Sequence, residues 1–342
     1  MIKVGIVGAT GYGGVELIRL ILGHPKAELS KISSVSFEGK KISEVYPSLI
    51  DTCDDVLVSQ DEVIAASDVV FAALPHGLSQ PLAKACMDAG KVFIDFGADF
   101  RLENEDAYET WYGARFEHPE LHQIAVYGLC ELWRDQIKGA RLIANPGCYP
   151  TSIQLGLAPA LKNALCDPAG IVIDSKSGAT GAGRGLSQTT HFCDLDEGFA
   201  PYKVAAHRHT PEIEQGLSKL AGEEVTVTFV PHLLPLKRGI ISTIYTSSTA
   251  DLQTVHAAYT KFYENEPFVT VLPLGQAANL KNVAMTNRCH ISLHRDEHAG
   301  RLIIVSAIDN MVKGAAGQAV QNMNIVFGLP ETTGLDLVAP AF

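Results

Sequence analysis

The sequence predicts an α/β protein of two domains, a doubly wound parallel sheet followed by an α+β domain whose sheet is mixed and largely antiparallel. Its 342 residues exceed what one hydrophobic core usually organises. Strand-like and helix-like runs alternate through the first 150 residues, and after residue 165 strand-like runs lengthen and crowd together. With 46% hydrophobic and 19% charged residues, Gly 30 and Pro 17, the chain is ordinary, self-folding material, far from disorder or collagen.

In chain order, the apolar run 2–7 reads as a strand and 15–22 as the first helix, with a second strand ending around 32–36. Runs 69–74, 92–96 and 141–144 continue the strands and 78–89 supplies a helix, a βαβ rhythm. The later strands are 170–175, 225–230 and 239–247, with 289–294 and 301–308 paired across 296–300. Helices should cover one face of that sheet. A late helix at 314–327, rich in Ala, Gln and Met, has an apolar face suited to packing back on the first domain.

Charge excludes some functions. The 27 basic and 38 acidic residues leave a net charge of −11, without the basic field that nucleic acid requires. No apolar run approaches the ~20 residues of a membrane span. The opening Met1-Ile2-Lys3-Val4-Gly5 enters an apolar strand without the charged region and long apolar region of a secretory signal, so the expected location is the cytoplasm. Seven cysteines, at 53, 86, 130, 148, 166, 193 and 289, are scattered and never spaced C-x-x-C, so neither a disulfide framework nor a metal site is expected.

Gly8-Ala9-Thr10-Gly11-Tyr12-Gly13-Gly14 stands where the first strand gives way to the first helix, the context of a Rossmann-type dinucleotide site. Glycines there permit a tight turn and close approach to a pyrophosphate, and the helix start supplies amide donors. Gly8, Thr10, Gly11, Tyr12, Gly13 and Gly14 are thus cofactor-binding candidates. The second strand ends without an acid for a ribose. Its hydroxyls, Ser34 and Ser36, with Lys40 and Lys41 beyond, favour NADP over NAD, against the nearby Glu38.

Cys148 is the one cysteine whose setting changes its chemistry. It lies in Asn145-Pro146-Gly147-Cys148-Tyr149-Pro150, after a strand and before the helical pattern 152–161, where a helix start favours a thiolate nucleophile. His207-Arg208-His209-Thr210-Pro211-Glu212 offers imidazoles for proton transfer. Thr210 is expected to cap a helix beginning at Pro211, and an extended 207–209 would put both histidines on one side. That cap favours His209 as the acid/base, with His207 as a substrate contact, although the sequence leaves the choice open. The Gly-rich stretch 175–184 either lines an anionic substrate or forms a wide loop. Arg101, after the inner strand 92–96, is either a fork for a phosphate or half of a surface ion pair with Asp99 or Glu103.

With these segments, Ala73-Leu74-Pro75-His76-Gly77, Tyr127-Gly128-Leu129-Cys130-Glu131, Pro231-His232-Leu233-Leu234-Pro235 with Arg238-Gly239, and Asn310-Met311-Val312-Lys313-Gly314-Ala315-Ala316-Gly317-Gln318 follow in an order that resembles the N-acetyl-gamma-glutamyl-phosphate reductases, of the aspartate-semialdehyde dehydrogenase-like family. The resemblance runs over nearly the whole chain. It implies an NADP-binding domain, 1–147 with 314–342, and a catalytic and dimerisation domain, 148–313. It implies Cys148 as nucleophile and the 207–213 segment as acid/base and substrate contact. Pro75, Gly178 and Asn310 join the cofactor candidates, and Asn145, Ser177 and Glu212 join Arg101 as substrate candidates. The implied reaction is NADPH-dependent reduction of N-acetyl-glutamyl 5-phosphate to the 5-semialdehyde and phosphate through a cysteine thioester, by a homo-oligomer, dimer or tetramer. One position departs from the family pattern: Val35 stands where an arginine is common. The neighbouring readings are the same chemistry on N-acetyl-aminoadipyl phosphate and a non-catalytic dinucleotide sensor. A short-chain dehydrogenase reading fails because no tyrosine is followed by lysine four residues later.

Overall fold

The computed structural model describes Met1–Phe342 as two compact units, one of Met1–Pro146 with Ala315–Asp336, the other of Gly147–Gly314 with Leu337–Phe342. The first unit is built on strands β1 (Ile2–Val7), β2 (Ala27–Ser33), β3 (Leu57–Val58), β4 (Val69–Ala72), β5 (Val92–Asp95), β6 (Val126–Tyr127) and β7 (Leu142–Ala144). They form one parallel sheet in the order β3-β2-β1-β4-β5-β7-β6. Helices α1 (Tyr12–Leu22), α2 (Ile42–Val45), α3 (Gln60–Ala66), α4 (Ser79–Asp88), α5 (Glu105–Tyr112), α6 (Pro119–His122) and α7 (Cys130–Ile137) occupy the connections.

All four residues of β4 are buried, as a central parallel strand covered on both faces requires. The strand order reverses between β1 and β4, so the chain leaving β1 at Gly8 and the chain leaving β4 at Ala73 diverge at the crevice where doubly wound sheets take ligands. Two expected boundaries move. The first helix starts at Tyr12, inside the glycine motif, and β4 stops at Ala72, its last ladder bond to β1 running from the Ala73 N–H to the Val7 carbonyl at 2.8 Å. β3 and β6 have two residues each, too few to leave a readable alternation.

The second unit runs α8 (Cys148–Lys162), β8 (Ile171–Ser177), α9 (Phe192–Leu195), β9 (Ala200–Pro201), α10 (Thr210–Ala221), β10 (Val227–Leu233), β11 (Ile240–Ser247), α11 (Leu252–Phe262), β12 (Val269–Val271), β13 (Cys289–Asp296) and β14 (Arg301–Ile308). Its sheet order is β12-β13-β14-β11-β8-β10-β9; β8 with β10 and β12 with β13 are parallel, the other pairs antiparallel. Burial alternates strictly along β11, so one sheet face is dry and the other half-exposed. The dry face is covered by α8, of whose fifteen residues only Cys148 and Lys162 at the two ends are not buried. After a π-helical turn over Val312–Ala316 the chain re-enters the first unit as α12 (Gly317–Val326). There its buried amides bind backbone, Gln318 Nε2 and Asn322 Nδ2 both donating to the Gly128 carbonyl at 2.9 and 2.8 Å.

Candidate active site

In the first unit, the Gly8–Gly14 motif forms a cradle that side chains would fill. Gly8 has φ +85°, and a Cβ there would lie 2.4 Å from the Ala73 carbonyl oxygen; one on Gly14 would lie 2.3 Å from the Gly8 oxygen. Gly11 is the N-cap of α1 and offers no capping side chain, so the helix start remains suited to an anion. Gly13 packs on Phe96, with room at 3.4 Å, and Tyr12 is half-buried at the helix start. These residues fit a dinucleotide pyrophosphate.

Thr10 Oγ1 and Ser34 Oγ lie 2.7 Å apart, both buried, and tie this turn to the end of β2. Beyond them Val35 is 83% exposed and Ser36 is exposed. Lys41 pairs with Asp54 at 3.2 Å, while Lys40 lies over the Phe37 ring. The end of β2 thus presents Ser36 and Lys40 to solvent. Pro75 lies in the exposed turn after β4.

In the second unit, Cys148 is the first residue of the fifteen-residue α8, so the helix starts four residues earlier than its apolar pattern suggests. Its thiol is partly exposed, unlike the buried Cys53, Cys86, Cys130, Cys166 and Cys289; Cys193 is exposed. The turn before it is held from both sides. Glu212 Oε1 accepts the Gly147 N–H at 2.8 Å from the first turn of α10, and Gly314 backs onto Cys148 so closely that a Cβ there would lie 2.8 Å from the Cys148 Cβ.

The histidine segment corrects two expectations. Thr210 is the first residue of α10 rather than its cap; His209 holds the N-cap position in helical conformation, without a side-chain cap. Nor is 207–209 extended. His207 Nδ1 accepts the His209 N–H at 3.1 Å and the His207 carbonyl accepts the Thr210 N–H at 2.9 Å, and these two bonds curl the segment into a turn. The turn still brings the two rings to 4.9 Å, both edge-on to Tyr149. Because Nδ1 of His207 accepts, its proton is on Nε2. Burial, together with the neighbouring His209, Lys203 and Arg208, drives the His207 pKa down to about 2, with Glu212 opposing. His207 is therefore a neutral hydrogen-bond donor at physiological pH.

Tyr149 and Tyr202 share a hydroxyl contact at 3.1 Å, and burial pushes both phenols up, Tyr202 to about 12. Tyr149 and Gly314 were not singled out from the sequence. Both act through packing that the sequence does not display.

The remaining candidates hold the chain itself. Arg101 is buried rather than on the surface; its Nε and Nη2 donate to the carbonyls of Asn145 and Phe96 at 2.8 and 2.7 Å. Asn145 donates to the Ala315 carbonyl and accepts from Asn322. Ser177 Oγ donates to the Gly178 carbonyl. Gly178 and Asn310 meet at Gly239: the Gly178 N–H donates to its carbonyl at 2.9 Å and Asn310 Oδ1 accepts its N–H at 2.7 Å. A Cβ on Gly178 would lie 2.8 Å from the 237–238 backbone, sufficient reason for a glycine there. No group of three His, Cys, Asp or Glu side chains is placed to hold a metal ion.

Residues 3–140 match the family described as semialdehyde dehydrogenase, NAD binding domain, and residues 148–310 match semialdehyde dehydrogenase, dimerisation domain. The chain is 57% identical over 344 residues to N-acetyl-gamma-glutamyl-phosphate reductase of Clostridium botulinum, with 100% of each chain covered. The chain belongs to the N-acetyl-gamma-glutamyl-phosphate reductase family. Other members of that family to which it is similar come from Clostridium beijerinckii, 58% identical over 344 residues, and Brachyspira hyodysenteriae, 54% over 352, again with 100% of each chain covered. The family is one of oxidoreductases, and this chain is an enzyme of that class. The fold is shared with aspartate semialdehyde dehydrogenase II of Vibrio cholerae in complex with ASA, at TM-score 0.72 and 16% identity over 95% of this chain and 98% of that one. It is shared also with aspartate semialdehyde dehydrogenase with NADP from Candida albicans, at TM-score 0.67 and 15% identity over the same shares.

Proposed function

We propose that this reductase-family chain converts N-acetyl-glutamyl 5-phosphate to N-acetyl-glutamate 5-semialdehyde and phosphate, using NADPH and a thioester on Cys148. The observation that carries the reading is a partly exposed cysteine at the start of a long buried helix, in the same unit as a histidine pair whose rings lie 4.9 Å apart, in a chain whose full-length relatives bear that reductase's name. Gly8, Gly11, Gly13 and Gly14 would hold the dinucleotide pyrophosphate, and Ser36 with Lys40 the 2′-phosphate in place of the arginine absent at Val35. When bound, the nicotinamide supplies the hydride that takes the acyl group to the aldehyde level. We assign the dinucleotide to residues 1–147 with 314–342 and the bond-making chemistry to residues 148–313.

The Cys148 thiolate, favoured by the amino end of α8, forms a C–S bond to the acyl carbon as the C–O bond to phosphate breaks and phosphate leaves with its electron pair. His209 gives a proton to the carbonyl oxygen when the thioester is reduced and reclaims it when the C–S bond breaks, returning the thiolate and releasing the aldehyde. His207 is unsuited to that exchange, because its accepting nitrogen is occupied and its surroundings resist a second proton; its Nε2–H is free of that constraint and donates a hydrogen bond to the substrate. Arg101, Asn145 and Glu212 enter as positioning residues, since each holds backbone of the 145–147 turn that leads into Cys148 or is part of it. The domain named for dimerisation supports a homo-oligomer, dimer or tetramer; no helix is long and apolar enough to cross a membrane, in keeping with a cytoplasmic enzyme.

The test is the reverse reaction, NADP reduction by N-acetyl-glutamate 5-semialdehyde in the presence of phosphate, beside its homologue one methylene longer and beside Cys148→Ser. The shorter aldehyde should be the better substrate, and the serine variant should bind NADP yet lose nearly all turnover. Full turnover in Cys148→Ser would end the mechanism, and preference for the longer aldehyde would change the substrate.

A further inference from the structure

We propose that Asp99 is a positioning residue for dinucleotide binding, its buried carboxylate holding the exposed turn 75–78 in place beside the Gly8 turn. The inference rests on the assignment of the Gly8–Gly14 cradle to the dinucleotide.

The turn is anchored at both ends and exposed between them. At its start, Ala73 donates to the Val7 carbonyl, and its own carbonyl lies against Gly8 where no Cβ could fit. Residues 75–78 are all exposed. At its far end Asp99, 0% exposed, gathers three donors: Oδ1 accepts the Gly77 N–H at 2.6 Å and the Tyr108 hydroxyl at 3.0 Å, and Oδ2 accepts the Ser79 N–H at 2.9 Å. Three donors on two oxygens is the pattern of an ionised acceptor. Holding the Ser79 N–H suffices to cap α4, whose N-cap Leu78 offers no side chain. The bond to Gly77 goes further. Gly77 has φ +85°, is exposed, and has nothing within 4 Å of where a Cβ would be, so no side-chain packing of its own holds it there. A buried carboxylate that reaches this amide fixes where the turn stands.

The neighbouring groups reinforce that hold. Tyr108 is fully buried and burial keeps its phenol protonated, hence a permanent donor to Asp99. Tyr112 stacks on Tyr108 at 5.1 Å and meets the His76 ring at 5.5 Å, gripping the turn from the side. Ser79 is bound twice, its N–H to Asp99 and its hydroxyl to Asp95 Oδ1 at 2.6 Å, while the Gly97 N–H donates to the same Asp95 oxygen at 2.8 Å. Phe96, next in the chain, packs against Gly13 of the cradle. One carboxylate pair therefore joins the loop after β4, the loop after β5 and the glycine cradle.

The experiment is NADPH titration by isothermal calorimetry without acyl phosphate, on the full chain, its Asp99→Asn, Tyr108→Phe and Gly8→Ala variants, with hydrogen exchange across residues 73–79 of the cofactor-free proteins. Asp99→Asn sets an amide NH2 against one of the two backbone N–H donors. Losing a hydrogen bond to a charged group at about 1.5 kcal/mol predicts roughly tenfold faster exchange at Gly77 or Ser79, whichever amide faces the NH2, and roughly tenfold weaker NADPH binding. In turnover, the KM for NADPH should rise by more than kcat falls. Tyr108→Phe, which removes one donor and leaves both amides held, should move both readouts the same way by less, and it carries the test if Asp99→Asn does not fold. Looser exchange with parental NADPH affinity in either folded variant would overturn the proposal, as would parental exchange in both. Failure of the parent to bind NADPH, or parental binding by Gly8→Ala, would overturn the cradle assignment first and this inference with it.

Discussion

Replacing Gly314 by alanine should displace Cys148, the proposed nucleophile, while sparing the fold. A Cβ at 314 would stand 2.8 Å from the Cys148 Cβ and 3.3 Å from its Cα, against the ~3.5–4.0 Å of relaxed carbon contact. The shortfall is on the order of 1 Å, and the obstacle is the first residue of a buried helix rather than a flexible tip, so either α8 or the π-helical turn must move. Overpacking of this kind costs about 1–3 kcal/mol, offset by about 0.5–1 kcal/mol from the lower backbone entropy of alanine. The variant should therefore remain folded, with a modestly lower Tm. A displacement of about 1 Å in a reacting atom can cost ~100-fold in rate. We expect kcat to fall between tenfold and a hundredfold with NADPH affinity retained, checked by steady-state kinetics, differential scanning calorimetry and the rate of Cys148 alkylation by iodoacetamide. A kcat within twofold of the parent, with parental alkylation, would refute the reasoning that Gly314 sets the position of the thiol.

Glu212→Ala leaves the buried Gly147 N–H without its 2.8 Å acceptor, for about 1–3 kcal/mol, and should lower both Tm and kcat, whereas Glu212→Gln keeps an acceptor and should restore most of the Tm; thermal unfolding of the pair distinguishes them. Asp95 provides a pH test. Burial, with the Asp99 charge beside it, raises its carboxyl from 3.8 to about 7, so the folded chain binds a proton that the unfolded chain has lost. Its contribution is accordingly most favourable below about pH 4 and declines as pH rises to about 7, by on the order of 4 kcal/mol; the stability difference between parent and Asp95→Asn, from urea unfolding at pH 5 and 8, should shift against the parent at the higher pH. His209→Asn should depress kcat and flatten one limb of its pH profile, while His207→Asn should chiefly raise KM, and the reverse pattern in pH-rate kinetics would exchange their roles.

The sequence was most legible where backbone chemistry constrains residue type locally. A glycine run between strand and helix, a cysteine in a strand-to-helix turn and a pair of histidines before a proline were visible because each signal lies within a few residues. The parallel and mixed sheets were visible because strand and helix periods differ. The cap at Thr210 failed for a local reason too: the His207 ring, a less familiar acceptor than aspartate or serine, took the turn's N–H.

By itself, then, the sequence determined the two-domain α/β class, and it marked the glycine turn and the candidate nucleophile, through periodicity and turn chemistry that neighbouring residues impose. Only the tertiary structure decided what holds them. Glu212 reaches the Gly147 amide across 65 positions, Asn145 reaches Ala315 across 170, and Gly314 meets Cys148 by close packing alone. Such contacts have no spacing rule, because folding brings together a buried donor and acceptor wherever the chain has placed them, and a buried polar group without a partner is costly enough that each must find one.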